Sequence, residues 1–243
     1  KISDREVQLI IDEYGETTAD RFFNEINKIE NGILVDLGVC DGFSSRLMLE
    51  KCLKNNNLIA AIDINTRFTS DNPHWNYINY DSAYVGEHWE DKKVDLVFFD
   101  TVHVKEQVLT ETYYWWDHIK EGGLAIYHDT SWHGYRHHAR HRAAGKQPGS
   151  SRQGFDRYGG IDWDTPDRAV ETFFNVNLNP PERDINNNNF VDIYEDEYIK
   201  VEQNWAFLGL TIVKKKKHFD YKDNQNIDWE HVFERRKFLL SHL

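Results

Sequence analysis

Short apolar runs alternate along the chain with stretches of helical spacing. Ile33-Leu34-Val35-Asp36-Leu37, Leu58 to Ile64, Trp75 to Tyr80, Lys93 to Asp100 and Leu124 to Asp129 are each short enough for a buried strand. Helical spacing separates them. A Ser3-capped segment runs through Glu6 to Asp12 and stops at Gly15. Thr18 to Ile29 carries Phe22, Phe23 and Ile26 on one side, and Asn31-Gly32 closes it. Arg46 to Leu53 and Lys105 to Ile119 follow the first and fourth strands, and Gly122-Gly123 is expected to cap the second of these helices. Thr165 and Pro166 open a helix over Asp167 to Phe174. Trp205 to Val213 reads as the last strand, paired antiparallel with Tyr198 to Val201, and Lys214 to Lys217 as its solvated end. Asp228 to Leu240 reads as a terminal helix burying Trp229, Val232 and Phe233. Strands alternating with helices predict an α/β domain with a parallel sheet and right-handed crossovers.

Every one of the first five strands ends at or next to an acid: Asp36, Asp63, Asp81, Asp100 and Asp129. In an open α/β sheet that edge is where ligands bind. After the first strand the chain reads D-x-G-x-x-x-G, from Asp36 through Gly38 to Gly42, and Ser44-Ser45 lead into a helix. Such a turn lets a ligand approach bare backbone and face free N–H groups at a helix start. A dinucleotide fold wants G-x-G-x-x-G, and a phosphate loop wants Gly-Lys-Ser/Thr; neither is present. Asp63, at the end of the second strand, suits ribose hydroxyls, and Asp81 with Ser82 suits an adenine amino group.

Composition narrows the reading. With 243 residues the chain is long enough for one domain with additions, and its formal net charge of −12 argues against a reader of duplex nucleic acid. Two cysteines, Cys40 and Cys52, imply no disulfide framework and suit a reducing compartment. No apolar run has transmembrane length. Aromatic residues make up 14%, enough to furnish a core and flat faces for a carbohydrate or other small molecule. The chain starts at Lys1 without Met, which fits a domain cut from a larger glycan-building protein, a viral one among the candidates. From Ser131 to Asp164 periodicity is lost, and His133, Arg136, His137, His138, Arg140 and His141 begin a basic island in an acidic protein. Such a segment suits a lid over substrate. Asn179-Pro180-Pro181 matches the core of amino-methyltransferases acting on DNA bases, but follows a late helix rather than a fourth strand, and reads as a loop.

The Asp36–Ser44 stretch resembles motif I of class I S-adenosylmethionine (SAM)-dependent methyltransferases. V-D-L-V-F-F-D-x-x-H over residues 94–103, then a helix, then K-E-G-G-L-A-I-Y-H-D-T over 120–130, is similar to the branch containing macrocin and rhamnosyl O-methyltransferases and cephalosporin-hydroxylase-like proteins. The resemblance covers residues 33 to 130. It implies a Rossmann-like, mostly parallel seven-stranded sheet with an antiparallel last strand and helices on both faces. One domain would span 1–243, with N-terminal helices in 1–31, a substrate-side insertion at 131–164 and a helical tail at 218–243. It implies SAM contacts from Asp36, Gly38, Cys40, Gly42, Ser44, Asp63, Asp81, Ser82 and Asp100. It also implies Mg²⁺ or Mn²⁺ on Asp100, His128 and Asp129, although Val102 and His128 stand where many members have acids. The expected reaction is methylation of a sugar hydroxyl, rhamnose-like, in a glycan or glycoside. Asp100 lies at the reacting centre, His103 is the favoured base and His133 the second. O-methylation of a catechol-like diol is the nearest rival, and a non-catalytic SAM- or nucleotide-binding module the rival of another class. The partner implied is a carbohydrate acceptor rather than nucleic acid or membrane, with a homodimer or fusion to glycosyltransferase domains left open. The setting implied is cytoplasmic, host cytoplasm for a viral source.

Overall fold

Asp36 and its apolar neighbours form β1 (Ile33–Leu37), near the middle of an eight-stranded sheet. The structure is a computed structural model, and it describes residues 4–90, 92–131, 164–180, 184, 187–206, 208–221 and 226–243. His133 and nearly all of the basic island, the proposed Ser3 cap and Pro181 lie outside the described residues.

Two helices precede β1: α1 (Asp4–Tyr14) and α2 (Glu16–Asn27), joined at Gly15, whose φ of 79° favours glycine. After β1 come α3 (Phe43–Asn55), β2 (Leu58–Ile62), β3 (Trp75–Ile78), α4 (Ser82–Glu87), β4 (Val94–Phe99), α5 (Lys105–Trp115) and β5 (Ile119–His128). The described remainder holds α6 (Pro166–Phe174), β6 (Val191–Glu195), β7 (Ile199–Asn204), β8 (Leu210–Lys215) and α7 (Trp229–Leu240). The strand order is β3-β2-β1-β4-β5-β8-β7-β6. The first five strands are parallel, and β8, β7 and β6 join antiparallel beyond β5.

The strands bury both faces, as a parallel sheet covered by helices must. Alternate residues serve opposite cores. Val35, Leu37, Val97 and Phe99 face the core shared with α5 and α6. Leu34, Leu96 and Phe98 face the core shared with α1, α2 and α3, where Ile10, Phe22, Ile26 and Met48 are buried. Phe98 is fully buried and stacks on Phe22 at 4.7 Å. Its truncation to Ala would cost about 3–5 kcal/mol.

Four elements differ from the sequence reading. Val191–Glu195 adds an eighth strand that was not expected. The helix α5 stops at Trp115, and Gly122-Gly123 lie within β5 rather than capping that helix. The register between β4 and β5 shifts there, and Gly123 packs so closely that a Cβ would sit 2.9 Å from the Asp95 carbonyl oxygen. The last strand begins at Leu210, because Trp205 and Ala206 belong to the turn after β7, which Gly209 closes with φ 83°. Lys215, read as solvated, is only 2% exposed. Its Nζ donates to the carbonyls of Trp116 at 2.8 Å and Ile119 at 2.9 Å and lies over the Trp116 ring. Among the described residues no helix is long and apolar enough to cross a membrane.

Candidate functional site

The turn after β1 runs between two other strand ends. The Gly38 N–H donates to the Ile62 carbonyl at 2.9 Å, and a Cβ on Gly38 would fall 2.0 Å from the Asp100 carbonyl oxygen. With φ at 88°, this position suits only glycine. Gly42 (φ 80°) is as constrained, since a Cβ there would meet the Phe68 ring at 2.2 Å. Beneath the turn, Asp36 is fully buried and accepts from Ser44 at 2.8 Å and from Ser45 at 2.5 Å. Burial pushes its pKa up to about 7; the two hydroxyls work against that rise. Asp36, expected at the cofactor, therefore fixes the first turn of α3 from below and does not line the cleft.

That cleft opens over the C-terminal ends of the parallel strands and holds about 580 Å³. Gly38, Cys40, Ser44, Asp63, Asp81, Ser82, Asp100, His103, His128 and Asp129 all line it. Asp63 is braced by backbone: Cys40 N–H donates to Oδ2 and Asn65 N–H to Oδ1, both at 2.8 Å. Each oxygen keeps a lone pair for a diol. Asp81 caps α4, accepting from Tyr84 N–H at 2.8 Å. Ser82 is held by Glu111, a buried carboxyl that also accepts from Gln107 (2.8 Å) and Thr101 (2.9 Å). Burial drives Glu111 up to about 7 despite those three donors.

At the other side of the cleft, the ends of β4 and β5 bring charges together. His103 Nε2 stands 2.8 Å from Asp129 Oδ2 and 3.3 Å from Asp100 Oδ1. His128 Nδ1 lies 3.1 Å from the same Asp100 oxygen, and the Tyr14 hydroxyl donates to Asp100 Oδ2 at 3.4 Å. The Tyr14 ring meets His128 edge-on at 4.7 Å. Burial would raise Asp100, but His128 and His103 outweigh it and hold its carboxyl well below the usual range. Desolvation opposes charge on both imidazoles, yet the carboxylates prevail. His103 is raised well above its ordinary value, chiefly by Asp129, and His128 to about 9, chiefly by Asp100.

Asp100, His103 and Asp129 offer ligand atoms all within 4.8 Å of one another. Asp129 Oδ2 is buried and, despite its nearness to His103, makes no hydrogen bond among the described residues. A buried carboxylate oxygen whose near neighbour is an imidazole nitrogen, beside a second acid, is a donor set that fits a divalent cation. Of the expected set, Asp100 and Asp129 belong to this cluster; His103, expected as the base, stands with them at 40% exposure, and His128 lies against Asp100.

Residues 35–130, the segment that builds this edge, match the family model for a methyltransferase domain. Over that segment the chain is similar to methyltransferase domains. No curated protein matches the chain in sequence. Among solved structures, the S-adenosylhomocysteine (SAH)-bound methyltransferase PaMTH1 of Podospora anserina aligns at TM-score 0.55 and 12% identity, covering 89% of each chain. A provisionally assigned caffeoyl-CoA O-methyltransferase from Staphylococcus aureus aligns at 0.51 and 14%, covering 82% of this chain and 83% of that one. MycE of the mycinamycin pathway, solved with Mg, SAH and mycinamycin VI, aligns at 0.48 and 16%, covering 86% of this chain. This chain spans about half of MycE, 50% of its length. The alignments to PaMTH1 and to the Staphylococcus aureus protein show a methyltransferase-like fold.

Several residues of the cleft escape sequence reasoning. Tyr14 lines it from α1, and Gln107 from α5; Leu240 and Leu243 line it from the C-terminal segment. None carries a motif, and each arrives through packing between elements distant in the chain.

Proposed function

We propose that this chain is a SAM-dependent O-methyltransferase acting on a sugar hydroxyl, with a divalent cation held by Asp100, His103 and Asp129. The observation that carries the reading is the convergence of two half-sites on one cleft. One is a glycine turn braced by Asp63, and the other is the Asp100–His103–Asp129 cluster. The sugar acceptor rests on the similarity of residues 94–130 to sugar O-methyltransferases.

Methyl transfer forms an O–C bond and breaks a C–S bond. The leaving thioether needs no proton, and the acceptor hydroxyl must lose one. A bound cation would lower the pKa of that hydroxyl and fix its approach. On the chain's side, Asp63 holds the ribose diol, and Gly38 to Gly42 admit the methionine end to bare backbone. Asp81 and Ser82 meet adenine. Asp100, against the turn through its backbone and in the cluster through its side chain, stands where the two half-sites meet. Asp129 and Asp100 favour the protonated form of His103, and a cation among them would oppose that. A neutral His103 would either ligate the cation through Nε2 or, unligated, take up the hydroxyl proton, not both.

Incubation with methyl-labelled SAM and a panel of glycosides, with and without Mg²⁺ or Mn²⁺, tests this. Label transferred to a glycoside only with metal is the expected result. Transfer to catechols alone would replace the acceptor, transfer without metal would remove the cation, and SAM binding without any transfer would leave a binding module.

A further inference from the structure

The C-terminal helix α7 docks on the cleft at two points. Near its middle, Arg236 places Nη2 on Asp81 Oδ1 and Nε on Gln107 Oε1, the latter at 2.9 Å. The guanidinium is 14% exposed and Asp81 20%, so this pair is largely shielded from water. One turn on, Leu239 is fully buried against Val102 and Val104, the two residues flanking His103. Beyond it, Leu240 and Leu243 line the cleft itself.

These contacts feed a single hydrogen-bond chain. Gln107, fixed by Arg236, donates to Glu111, whose other oxygen accepts from Thr101, next to Asp100. Ser82, beside Asp81, joins Glu111 as well. Arg236 thus ties the nucleoside side of the cleft to the end of β4. Both of its bonds to Asp81 and Gln107 need two nitrogens at fixed spacing, which a guanidinium supplies and an ammonium does not. On Asp81 the Arg236 and Tyr84 bonds both fall on Oδ1, so Oδ2 is spared by them.

We propose that Arg236 is a positioning residue for the nucleoside end of the cofactor, holding Asp81 and Gln107 in place, and that α7 forms the wall closing that end of the cleft. This rests on the SAM reading given above. Arg236 itself touches no reacting atom.

Arg235, its neighbour in sequence, supplies the comparison. It pairs with Glu106 at 2.7 Å, on a face of α5 that does not line the cleft. Removing either arginine costs α7 an ion pair, with Glu106 or with Asp81, but of the two pairs only that of Arg236 lies at the cleft. Calorimetric titration of the full chain with SAH should show R236A about tenfold weaker than wild type, the equivalent of one lost hydrogen bond to a charged group. R236K should fall between them, since it keeps the charge facing Asp81 and loses the fork. R235A should bind as wild type does, with both alanine variants still melting cooperatively. Wild-type affinity in R236A would overturn the proposal. So would an equal loss in R235A and R236A, which would reduce the effect to loosened docking of α7. Absence of SAH binding to the unaltered chain is a different failure: it would remove the cofactor reading and this inference with it.

Discussion

A Cβ on Gly38 would lie 2.0 Å from the carbonyl oxygen of Asp100. The turn after β1 and the acid at the end of β4 are therefore in backbone contact. The tight fit explains why the chain must have glycine at that position, and why the two half-sites of the cleft cannot move independently there. Gly38→Ala should lose about 1–3 kcal/mol from the positive φ alone, and more from the clash. Urea unfolding measures it. A loss under 0.5 kcal/mol would show that the turn relaxes freely.

The buried acids make stability pH-dependent in a defined direction. Asp36 and Glu111 have ordinary values of 3.8 and 4.5, and burial raises both to about 7 in the folded chain. Between those limits the folded state keeps protons that the unfolded state has released, so stability falls as pH rises from about 4 to about 7. Each group contributes up to ~1.4 kcal/mol per pH unit. Asp36→Asn cannot ionise, so its stability relative to wild type should improve from pH 5 to pH 8. Thermal melts across that range provide the check.

Asp100 contributes to raising both His128 and His103. His128 sits at about 9 because Asp100 and Asp129 outweigh its burial. Asp100→Asn should lower the His128 midpoint by more than one unit, toward the value burial favours. Proton NMR titration of the imidazole Cε1–H signals would register this. An unmoved midpoint would assign the charge to Asp129 alone.

Asp129 Oδ2 is buried and makes no hydrogen bond among the described residues. If that oxygen waits for a cation, Asp129→Asn should weaken Mn²⁺ binding by about 10-fold or more, and His103→Ala likewise, as loss of one ligand does. Paramagnetic relaxation of water protons on Mn²⁺ titration gives the constant directly. Equal affinity in wild type and both variants would place the cation elsewhere.

The parallel half of the sheet was legible because each strand is a short apolar run with an acid at its end, and the glycines of the first turn mark where backbone must approach backbone. Gly122-Gly123 misled, since paired glycines cap helices and also permit a strand irregularity, and only the contact with Asp95 distinguishes the two. Lys215 misled for another reason: a run of four lysines reads as solvated, while one of them finds two carbonyls and a tryptophan face inside. At the site, Asp63, Asp100 and Asp129 follow from strand ends. The neighbourhood of His103 to Asp129, and the reach of Arg236 to Asp81, cross wide sequence separations and have no local signature.

The central claim is that the edge formed by Gly38, Asp63 and Asp81 holds the adenosyl moiety. Calorimetric titration with SAH of the wild type and of Asp63→Asn tests it most directly. The substitution replaces one of the two oxygens that brace Cys40 N–H and Asn65 N–H, and leaves fewer acceptors for the ribose. Saturable binding near one SAH per chain, weakened about tenfold or more in Asp63→Asn, is the predicted result. No saturable heat with wild type, or equal affinity in the two proteins, would contradict it.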